Sequence, residues 1–350
     1  MSSPPRRITQ AEVARIAGVS QAMVSLVLNG SDSLRVSPKT RNRIEEALRS
    51  TGYTVDIMGR RLRGKSNRIL GVFSYESVFP SGVADFYRPF LLGIEEEAEA
   101  QGFDLMLFIS GGRVDGRRRV YEKGENRLGI ADGCILLGRH TDREELARLL
   151  DERFPFVFIG RRESSAGRVS YVGADYTTAT RELYECAWAA GHFRIGLLSV
   201  SGENEATIDR RAGYLAAARV HRRQANMITE DDPRVVLAQV RARRLTALLV
   251  DSFAMAEAVR SSASAEGIRV PEDLSIAVLG DSDPTQSNAF SSEVPSEVDW
   301  TMFRIPRHEM GTRAVRMLTQ LLGGVTPAEG TQLLLPCAIA EGTTVVAPPT

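Results

Sequence analysis

Residue types that support catalysis or metal binding are scattered in this sequence. The three cysteines, Cys134, Cys186 and Cys337, lie far apart, and the four histidines are isolated from one another. Neither set has the close spacing of a zinc or redox site, so we expect free thiols in a reducing compartment. No glycine-rich phosphate loop or nucleophile motif stands out. The sequence therefore predicts binding rather than catalysis, with no cofactor and no metal.

A more regular arrangement of side chains lies in the N-terminal stretch ITQAEVARIAGVSQAMVSLVLN. Its second half predicts a short helix whose apolar face is formed by Val24, Val27 and Leu28. The side chains that point elsewhere are Gln21, Ala22, Ser25 and Leu26. An exposed face on a helix of this size suits a DNA major groove.

The first half of the stretch predicts a preceding helix. Thr9 and Glu12 have the spacing of a capping box, in which hydroxyl and carboxylate satisfy each other's backbone N–H groups. Val13, Ile16 and Ala17 form the predicted apolar face, at positions i, i+3 and i+4. These residues must therefore orient the second helix from behind.

The residues between the two helices predict a tight turn. Gly18 tolerates a left-handed backbone, and Ser20 can cap the helix that follows. Helix, turn and helix together form a helix-turn-helix pattern. An ordinary helical hairpin gives the same pattern, so charge is needed to choose between the two.

Charge distinguishes the N-terminal region from the rest of the chain. Residues 1–65 hold twelve Lys and Arg against five Asp and Glu, whereas the whole chain balances at 44 of each. A basic segment of +7 thus precedes an acidic remainder of −7, which favours a module that binds phosphates. The N-terminal residues are too polar for a secretory signal, and no apolar run reaches the roughly 18 residues of a membrane span.

A third helix and a linker complete this region. Ser37 and Pro38 suit the cap and the first residue of a helix that Gly52 ends. The next stretch, TVDIMGRRLRGKSN, is basic and contains glycine, so we expect a linker.

From Arg68 onward, short apolar strands such as RILGVFSY, ADGCILLG and PFVFIG alternate with helices. A second series of this kind begins near Val172. The alternation predicts parallel sheets covered by helices on both faces, in two lobes with a cleft between them. Ligands of such sheets bind at the carboxyl ends of the strands. The predicted fold class is an all-α helix-turn-helix head followed by a two-lobed α/β core.

In this order, the segments resemble the lactose-repressor/galactose-repressor (LacI/GalR) family of bacterial transcription regulators. The strongest portions are VARIAGVSQAMVSLVLN, VSPKTRNRIEEALRSTGY and LRGKSNRILGV, and weaker similarity covers nearly the whole chain. The resemblance implies a DNA-binding domain at 1–54, a hinge at 55–67 and a core at 68–350 like periplasmic sugar-binding proteins. The implied lobes are roughly 68–168 plus 300–330, and 169–299 plus 331–350.

The resemblance also implies roles in DNA recognition. Gln21, Ala22 and Leu26 match base-reading positions; glutamine suits adenine and alanine a thymine methyl group. Leu26 stands where relatives commonly carry arginine, so the usual operator sequence is not expected. The residues matched to DNA phosphates are Thr9, Ser20, Ser25, Asn29, Arg35, Lys39 and Thr40. Helix capping or simple exposure is the alternative for each.

In the hinge, the resemblance places Leu62 as a wedge in the DNA minor groove. Gly59 replaces an alanine of the family's hinge helix, and glycine inside a helix costs about 0.5–1 kcal/mol relative to alanine. We therefore expect a hinge that is harder to order than in relatives.

For the core, the candidate effector residues are Tyr75, Phe79, Arg210, Ser252, Phe253 and Asp281. Phe79 and Phe253 could stack on a less polar ligand, with a plain core role as the alternative. Arg210 matches an arginine that binds ligand hydroxyls, and a salt bridge is the alternative. Gly160, Ser252-Phe253 and Gly280 replace residues that accept hydrogen bonds from sugars in relatives. The sequence predicts either a ligand other than a free hexose or a core without ligand sensing.

The resulting hypothesis is a cytoplasmic, nucleoid-associated repressor that binds near-palindromic operator DNA as a homodimer. Its affinity would respond to a small, carbohydrate-like or atypical effector. Some relatives form tetramers through a C-terminal heptad helix; the segment TTVVAPPT is unsuited to such a helix, so we expect a dimer. The alternatives are a regulator that answers to a protein partner or has lost ligand sensing, and a solute-binding protein.

Overall fold

The computed structural model describes residues 8–28, 36–53, 66–76, 84–109, 113–114, 117–138, 142–199, 202, 204–281, 298–324 and 332–349. The chain forms two compact units, Met1–Asn67 and Arg68–Thr350. No single described helix is long and apolar enough to cross a membrane; one helix pair, Gln10–Ala17 with Gln21–Leu28, meets that test by length and composition but bends by 105° between its members.

The first unit contains three helices, α1 (Gln10–Ala17), α2 (Gln21–Leu28) and α3 (Pro38–Thr51). The predicted capping box of α1 is confirmed: the Glu12 N–H donates to Thr9 Oγ1 over 3.3 Å, and the Thr9 N–H donates to Glu12 Oε2 over 3.1 Å. Both bonds engage N–H groups at the N-terminus of the helix, where no carbonyl four residues earlier in the helix is available. The start of α1 is therefore fixed by residues three positions apart.

The turn between α1 and α2 is closed by contacts from both sides. Gly18 adopts the left-handed conformation, with φ +62°, and the Met23 N–H donates to Ser20 Oγ over 3.3 Å. From α3, the Arg43 guanidinium donates to the carbonyls of Ala17 and Gly18. A Cβ on Gly18 would lie 2.7 Å from Arg43 Nη2. The turn thus requires glycine for its backbone and for the arginine against it.

The small core of the first unit corrects one prediction from the sequence. The sequence predicts Ile16 on the buried face of α1, but in the structure this residue is 52% exposed. Ala14 is buried instead, because the stripe that α1 turns toward α3 runs along Val13 and Ala14 rather than Val13 and Ile16. The buried residues are Val13, Ala14, Ala17, Val24, Ile44 and Ala47.

The second unit contains two six-stranded sheets. The strands of the first sheet, numbered in chain order, are β1 (Ile69–Ser74), β2 (Asp104–Phe108), β7 (Gly133–Leu137), β8 (Phe156–Ile159), β9 (Tyr171–Ala174) and β15 (Gln332–Leu335). They lie in the order β15-β9-β8-β7-β1-β2 and are all parallel. Two small hairpins precede β7, namely β3 (Arg113–Val114) with β4 (Arg117–Arg118), and β5 (Tyr121–Glu122) with β6 (Glu125–Asn126). A 3-10 turn, Arg127–Ile130, follows them.

The strands of the second sheet are β10 (Ile195–Leu198), β11 (Met227–Ile228), β12 (Ala247–Val250), β13 (Ser275–Val278), β14 (Thr301–Arg304) and β16 (Ala338–Ala340). Their order is β11-β10-β12-β13-β14-β16, and only the last pairing is antiparallel. β10, β12 and β13 are fully buried, as expected for parallel strands between helical layers. The predicted α/β sheets are thus present.

Helices cover both sheets. They are α4 (Ala84–Ala100), α5 (Arg143–Asp151), α6 (Tyr176–Ala189), α7 (Glu205–Val220), α8 (Pro233–Ala242), α9 (Phe253–Ala265) and α10 (Arg307–Leu322). α10 packs against α4 and the first sheet, while α6 packs against α7 beside the second. The crossing of α6 and α7 is close: a Cβ on Gly213 would lie 2.3 Å from the Thr177 carbonyl oxygen. This contact sets how closely α6 and α7 cross, and the first turns of α7 face the cavity described below.

Strand pairing places the lobe boundaries later than the sequence suggested. The predicted changes of lobe precede residues 169, 300 and 331, which separates β9, β14 and β15 from their observed partners. In the structure, the chain passes from one sheet to the other after β9, after β14 and after β15. β9 and β15 pair within the first sheet, and β14 pairs within the second. A strand gains its ladder of hydrogen bonds only where its neighbours lie, so each change of sheet follows a strand.

Candidate functional site

Two of the three positions predicted to read bases lie on the exposed face of α2. Gln21 and Ala22 are exposed at the first turn of the helix, and Leu26 is half-buried one turn later. Val24 faces the core with no exposed surface. The core of the unit therefore holds one side of α2 and leaves the side with Gln21 and Ala22 open.

The residues predicted to contact phosphates fall into three groups. Thr9 and Ser20 are exposed and cap α1 and α2. Their positions are therefore compatible with capping and with a phosphate contact. Lys39 is exposed, whereas the Thr40 hydroxyl lies 2.8 Å from Ser37 Oγ, and Ser25 is half-buried. The other two, Asn29 and Arg35, lie outside the described part of the chain. So do Gly59 and Leu62 of the predicted hinge and Phe79 of the predicted effector site.

In the second unit, a cavity of 490 Å³ opens at the carboxyl ends of strands from both sheets. Its walls come from the loops after β7, β8, β12 and β13, from the first turns of α7, and from aromatic residues of α4. This is the position at which sheets of this type bind ligands. The aromatic side chains of the wall are Phe86, Tyr87, Phe90, Tyr176 and Phe253.

Arg210 lies in this cavity and is held by aromatic rings. Its guanidinium carbon is 4.3 Å from the centre of the Tyr176 ring and 6.0 Å from that of Phe303. Its Nε is buried without a hydrogen-bond partner. The alternative of a salt bridge is not seen: the described acidic side chains form no ion pair with Arg210. Its charge is therefore directed at the cavity.

Asp281 also lines the cavity, but its carboxylate is already occupied. Arg307 donates to both of its oxygens, over 3.2 and 2.7 Å. The Arg307 guanidinium also stacks over Phe86, 4.8 Å from the ring centre. Burial raises the pKa of Asp281, against the lowering effect of Arg307. Asp281 thus joins the walls of the cavity instead of offering a free acceptor.

The other predicted effector residues have different surroundings. Ser252 lines the cavity and caps α9 by accepting from the Met255 N–H over 3.5 Å. Phe253 lines it too, with its ring edge-on to Trp300. Tyr75 does not: it is 1% exposed in the core of the first sheet, beside Phe73, and burial raises the pKa of its hydroxyl. The assignment of Tyr75 to the site is corrected, because its strand turns it into the core.

Several cavity residues were missed in the sequence. Asp251 is 8% exposed; its Oδ2 accepts from Ser199 Oγ over 2.9 Å, while its Oδ1 has no partner. Its position directly after the apolar run ALLV was a usable signal, because polar residues at the end of a parallel strand face the site.

Ion pairs between the two lobes were not predictable from spacing. Arg161, after β8, donates from Nε and Nη2 to Asp209 of α7 over 2.9 and 2.8 Å. Arg162 lies 3.6 Å from Glu205 of the same helix and stacks on Phe158. These pairs join a loop of the first sheet to a helix of the second across the cavity wall.

Comparison with known families covers both units. Residues 9–56 match bacterial regulatory proteins of the lacI family. Residues 77–248 match the periplasmic binding proteins and sugar binding domain of the LacI family, and residues 185–345 match a periplasmic binding protein-like domain. All of the segments discussed above fall within or beside these ranges.

Individual proteins give the same picture. The HTH-type transcriptional regulator CelR of Thermobifida fusca is 29% identical over 333 residues, which are 92% of this chain and 94% of that protein. The structure of a CelR–cellobiose complex is similar with a TM-score of 0.58 at 26% identity, over 97% of this chain and 100% of that one. A lac repressor dimer bound to operator and the anti-inducer ONPF gives a TM-score of 0.70 at 21% identity, over 98% and 100% of the two chains, a likeness of fold.

Proposed function

Since this chain belongs to the LacI family of bacterial regulatory proteins, we propose that it represses transcription as a homodimer on a near-palindromic operator, under control of a small molecule. It is a DNA-binding transcriptional regulator and not an enzyme, like the relatives that it matches. Such a regulator works in the cytoplasm, and we propose that it is bound to the nucleoid there.

The observation that carries the control by a small molecule is the position of the cavity. It lies where both sheets end, and Arg161 of one lobe binds Asp209 of the other beside it. A ligand in this place contacts both lobes, so its affinity differs between arrangements of the lobes. A difference of this kind is what couples a ligand site to a DNA site, and the coupling is reciprocal.

For the DNA site, we propose that α2 lies in the major groove. Gln21 would pair with adenine and Ala22 with a thymine methyl group, while Leu26 adds an apolar contact. Thr9, Ser20, Ser25, Lys39 and Thr40, with Asn29 and Arg35, would hold phosphates on either side. Leu62 would enter the minor groove next to Gly59.

Selection of bound duplexes from a random pool tests this proposal in the full-length protein. We expect a two-fold symmetric site whose binding weakens steeply with salt, because phosphate contacts release counterions. A second selection with a panel of sugars and sugar derivatives should release the site or strengthen it. The absence of any salt-sensitive duplex preference contradicts operator binding, and an unchanged preference with every ligand contradicts the control by a small molecule.

Two variants separate base reading from general affinity. Gln21→Ala should relax specificity at one base pair of each half-site, by about 1–3 kcal/mol. Asn42→Ala, an exposed change in α3 outside the proposed face, is the matched control and should leave the selected sequence unchanged. Equal selected sequences for wild type and Gln21→Ala contradict the assignment of Gln21.

A further inference from the structure

The charged side chains around the cavity are matched with one another, with two exceptions. Four arginines line it, and three of them have an acidic partner. The pairs are Arg161–Asp209, Arg162–Glu205 and Arg307–Asp281. Arg210 and Asp251 also line the cavity, and neither has an ion-pair partner among the described residues.

Arg210 is a cation held without a counter-ion. One face of its guanidinium rests on Tyr176, at 4.3 Å from the ring centre, and its Nε is closed off from solvent. Placing a charge in such a setting is unfavourable unless an opposite charge or a set of hydrogen bonds is supplied. No described residue supplies one. The terminal nitrogens of Arg210 are thus left for a ligand, and a planar guanidinium suits a carboxylate or a phosphate.

The backbone around Arg210 also keeps other acids away. A Cβ on Gly280 would stand 3.8 Å from Arg210 Nη2, so an acidic side chain there would neutralise the arginine. Gly280 has φ +155°, a conformation that residues with side chains rarely adopt. Gly160, with φ +106°, is likewise beside Arg162. Glycines thus stand at two wall positions close to these arginines, where a side chain could have carried a carboxylate.

Asp251 adds a hydrogen-bond acceptor on the same wall. Asp251 is only 8% exposed. Its Oδ2 accepts a hydrogen bond from Ser199, whereas its Oδ1 has no partner. A hydroxyl group satisfies such an oxygen by donating to it. The aromatic side chains of the wall supply flat apolar surfaces for the remainder of a sugar ring.

We propose that the ligand of this cavity is an anionic carbohydrate, a sugar acid or a sugar phosphate, whose anionic group binds Arg210 and whose hydroxyl donates to Asp251. The inference rests on the proposed control by a small molecule and defines the chemistry of that molecule. A neutral sugar would leave Arg210 without a counter-ion. An amino acid has the matching charges, but it lacks the hydroxyl-bearing ring that the aromatic surfaces can cover.

The test is calorimetric titration of the full-length protein with matched pairs of ligands. The probes are glucuronate and glucose 6-phosphate against glucose, galacturonate against galactose, and gluconate against sorbitol. Free amino acids complete the panel. We expect at least one anionic member to bind about tenfold or more tightly than its neutral partner, with an affinity that falls as salt rises. The carboxylate and phosphate members distinguish the two sources of negative charge.

Variants of Arg210 connect the preference to the residue. Arg210→Gln should abolish the difference within the pair, and Arg210→Lys should keep part of it. Arg219→Gln changes an exposed arginine of the same helix and should leave the preference intact. Thermal unfolding of each variant, measured alongside, shows whether the core remains folded.

Neutral sugars that bind as well as their anionic partners overturn the proposal, as do amino acids that bind in their place, or a panel in which no anionic carbohydrate binds. Operator binding in the same samples distinguishes this failure from failure of the proposed function. Release of the operator by a neutral sugar would support control by a small molecule and contradict the proposal that this molecule is anionic. Loss of all operator binding removes the regulator itself.

Discussion

In the DNA-binding unit, the side chains that fix the backbone lie close together in sequence: Thr9 is held by Glu12, three residues later. Around the cavity the partners are distant, and Arg161 is held by Asp209, 48 residues away. The first kind of contact forms within one turn of a helix, and the second requires both sheets to be in place. Substitutions in the head should therefore act locally, whereas substitutions at the cavity should affect the core as a whole.

The largest expected effect concerns the turn of the head. Gly18→Val places a β-branched residue at φ +62° and pushes against Arg43. Backbone strain of this kind costs on the order of 1–3 kcal/mol, and the lost packing of Arg43 adds to it. We expect operator affinity to fall at least about a hundredfold, while calorimetric melting of the core is unchanged.

Gly52→Val is the control for this substitution, because Gly52 has the same φ of +62° but no atom near its Cβ position. It should be milder than Gly18→Val. Equal effects of the two changes would show that backbone strain alone matters and that Arg43 does not fix the turn.

The next effect concerns the pair that joins the lobes. Arg161 and Asp209 are 17% and 15% exposed, so removal of one leaves the other charge poorly solvated. We expect Arg161→Ala to destabilise the core by about 2 kcal/mol, and a double-mutant cycle with Asp209→Ala to give a coupling of about 1–2 kcal/mol. Denaturant unfolding of the core measures both values.

The exposed pair Arg269–Asp273, at 68% and 36% exposure, is the matched comparison. Its coupling should be clearly smaller than that of Arg161 with Asp209, since water screens it. Similar couplings for the two pairs would contradict a special role for the contact between lobes.

A smaller effect concerns pH. His192 is buried, with Nε2 donating to the Val346 carbonyl over 2.7 Å and Nδ1 3.0 Å from Thr246 Oγ1. Burial lowers the pKa of His192, against the raising effect of the Val346 carbonyl. The folded state therefore binds a proton less readily than the unfolded chain. The stability that neutral His192 contributes is fully present above the unfolded pKa of about 6.5. It is lost as pH falls through that value toward the folded pKa.

Unfolding temperatures between pH 7.5 and 5 measure this loss. His192→Gln should flatten the decline, whereas His308→Gln, a change at an exposed residue, should preserve it. The head contains no histidine among residues 8–53, so its melting should respond less over this range. A decline that survives in His192→Gln would assign it to other groups.

The smallest effect tests the corrected face of α1. Ile16 is 52% exposed, so Ile16→Ala should change stability of the head by less than about 0.5 kcal/mol. Val13 is fully buried, and Val13→Ala should cost at least about 1 kcal/mol. Circular dichroism of the head transition compares them. A larger loss for Ile16→Ala would restore the face predicted from the sequence.

The contrast also explains what the sequence could predict. Caps and turns, such as Thr9 with Glu12 and Gly18, are chosen by local backbone geometry, so residue type and spacing reveal them. Strand and helix alternation likewise predicted the two sheets. Ile16 was misplaced because hydrophobic periodicity does not say from which side a neighbouring helix arrives. Tyr75 was misplaced because a residue at the end of a strand can turn either to the site or to the core.

Contacts at the cavity were the least predictable. Arg161 and Asp209 belong to segments that meet only after both sheets form, and nothing in their spacing relates them. Asp251 was within reach of sequence reasoning, because it directly follows a buried strand. The resemblance suggested a carbohydrate-like or atypical ligand without indicating its charge. The proposed negative charge could be inferred only from the structure, in which Arg210 lines the cavity without an acidic partner.

The passage of the chain from sheet to sheet has a consequence for how this core is inherited. β15 completes the first sheet and β16 the second, although only two residues separate them. A chain that is truncated anywhere before β15 loses an edge strand from both sheets at once. Recombination can therefore exchange the head of this regulator for another, but it must pass on the two lobes as one indivisible block.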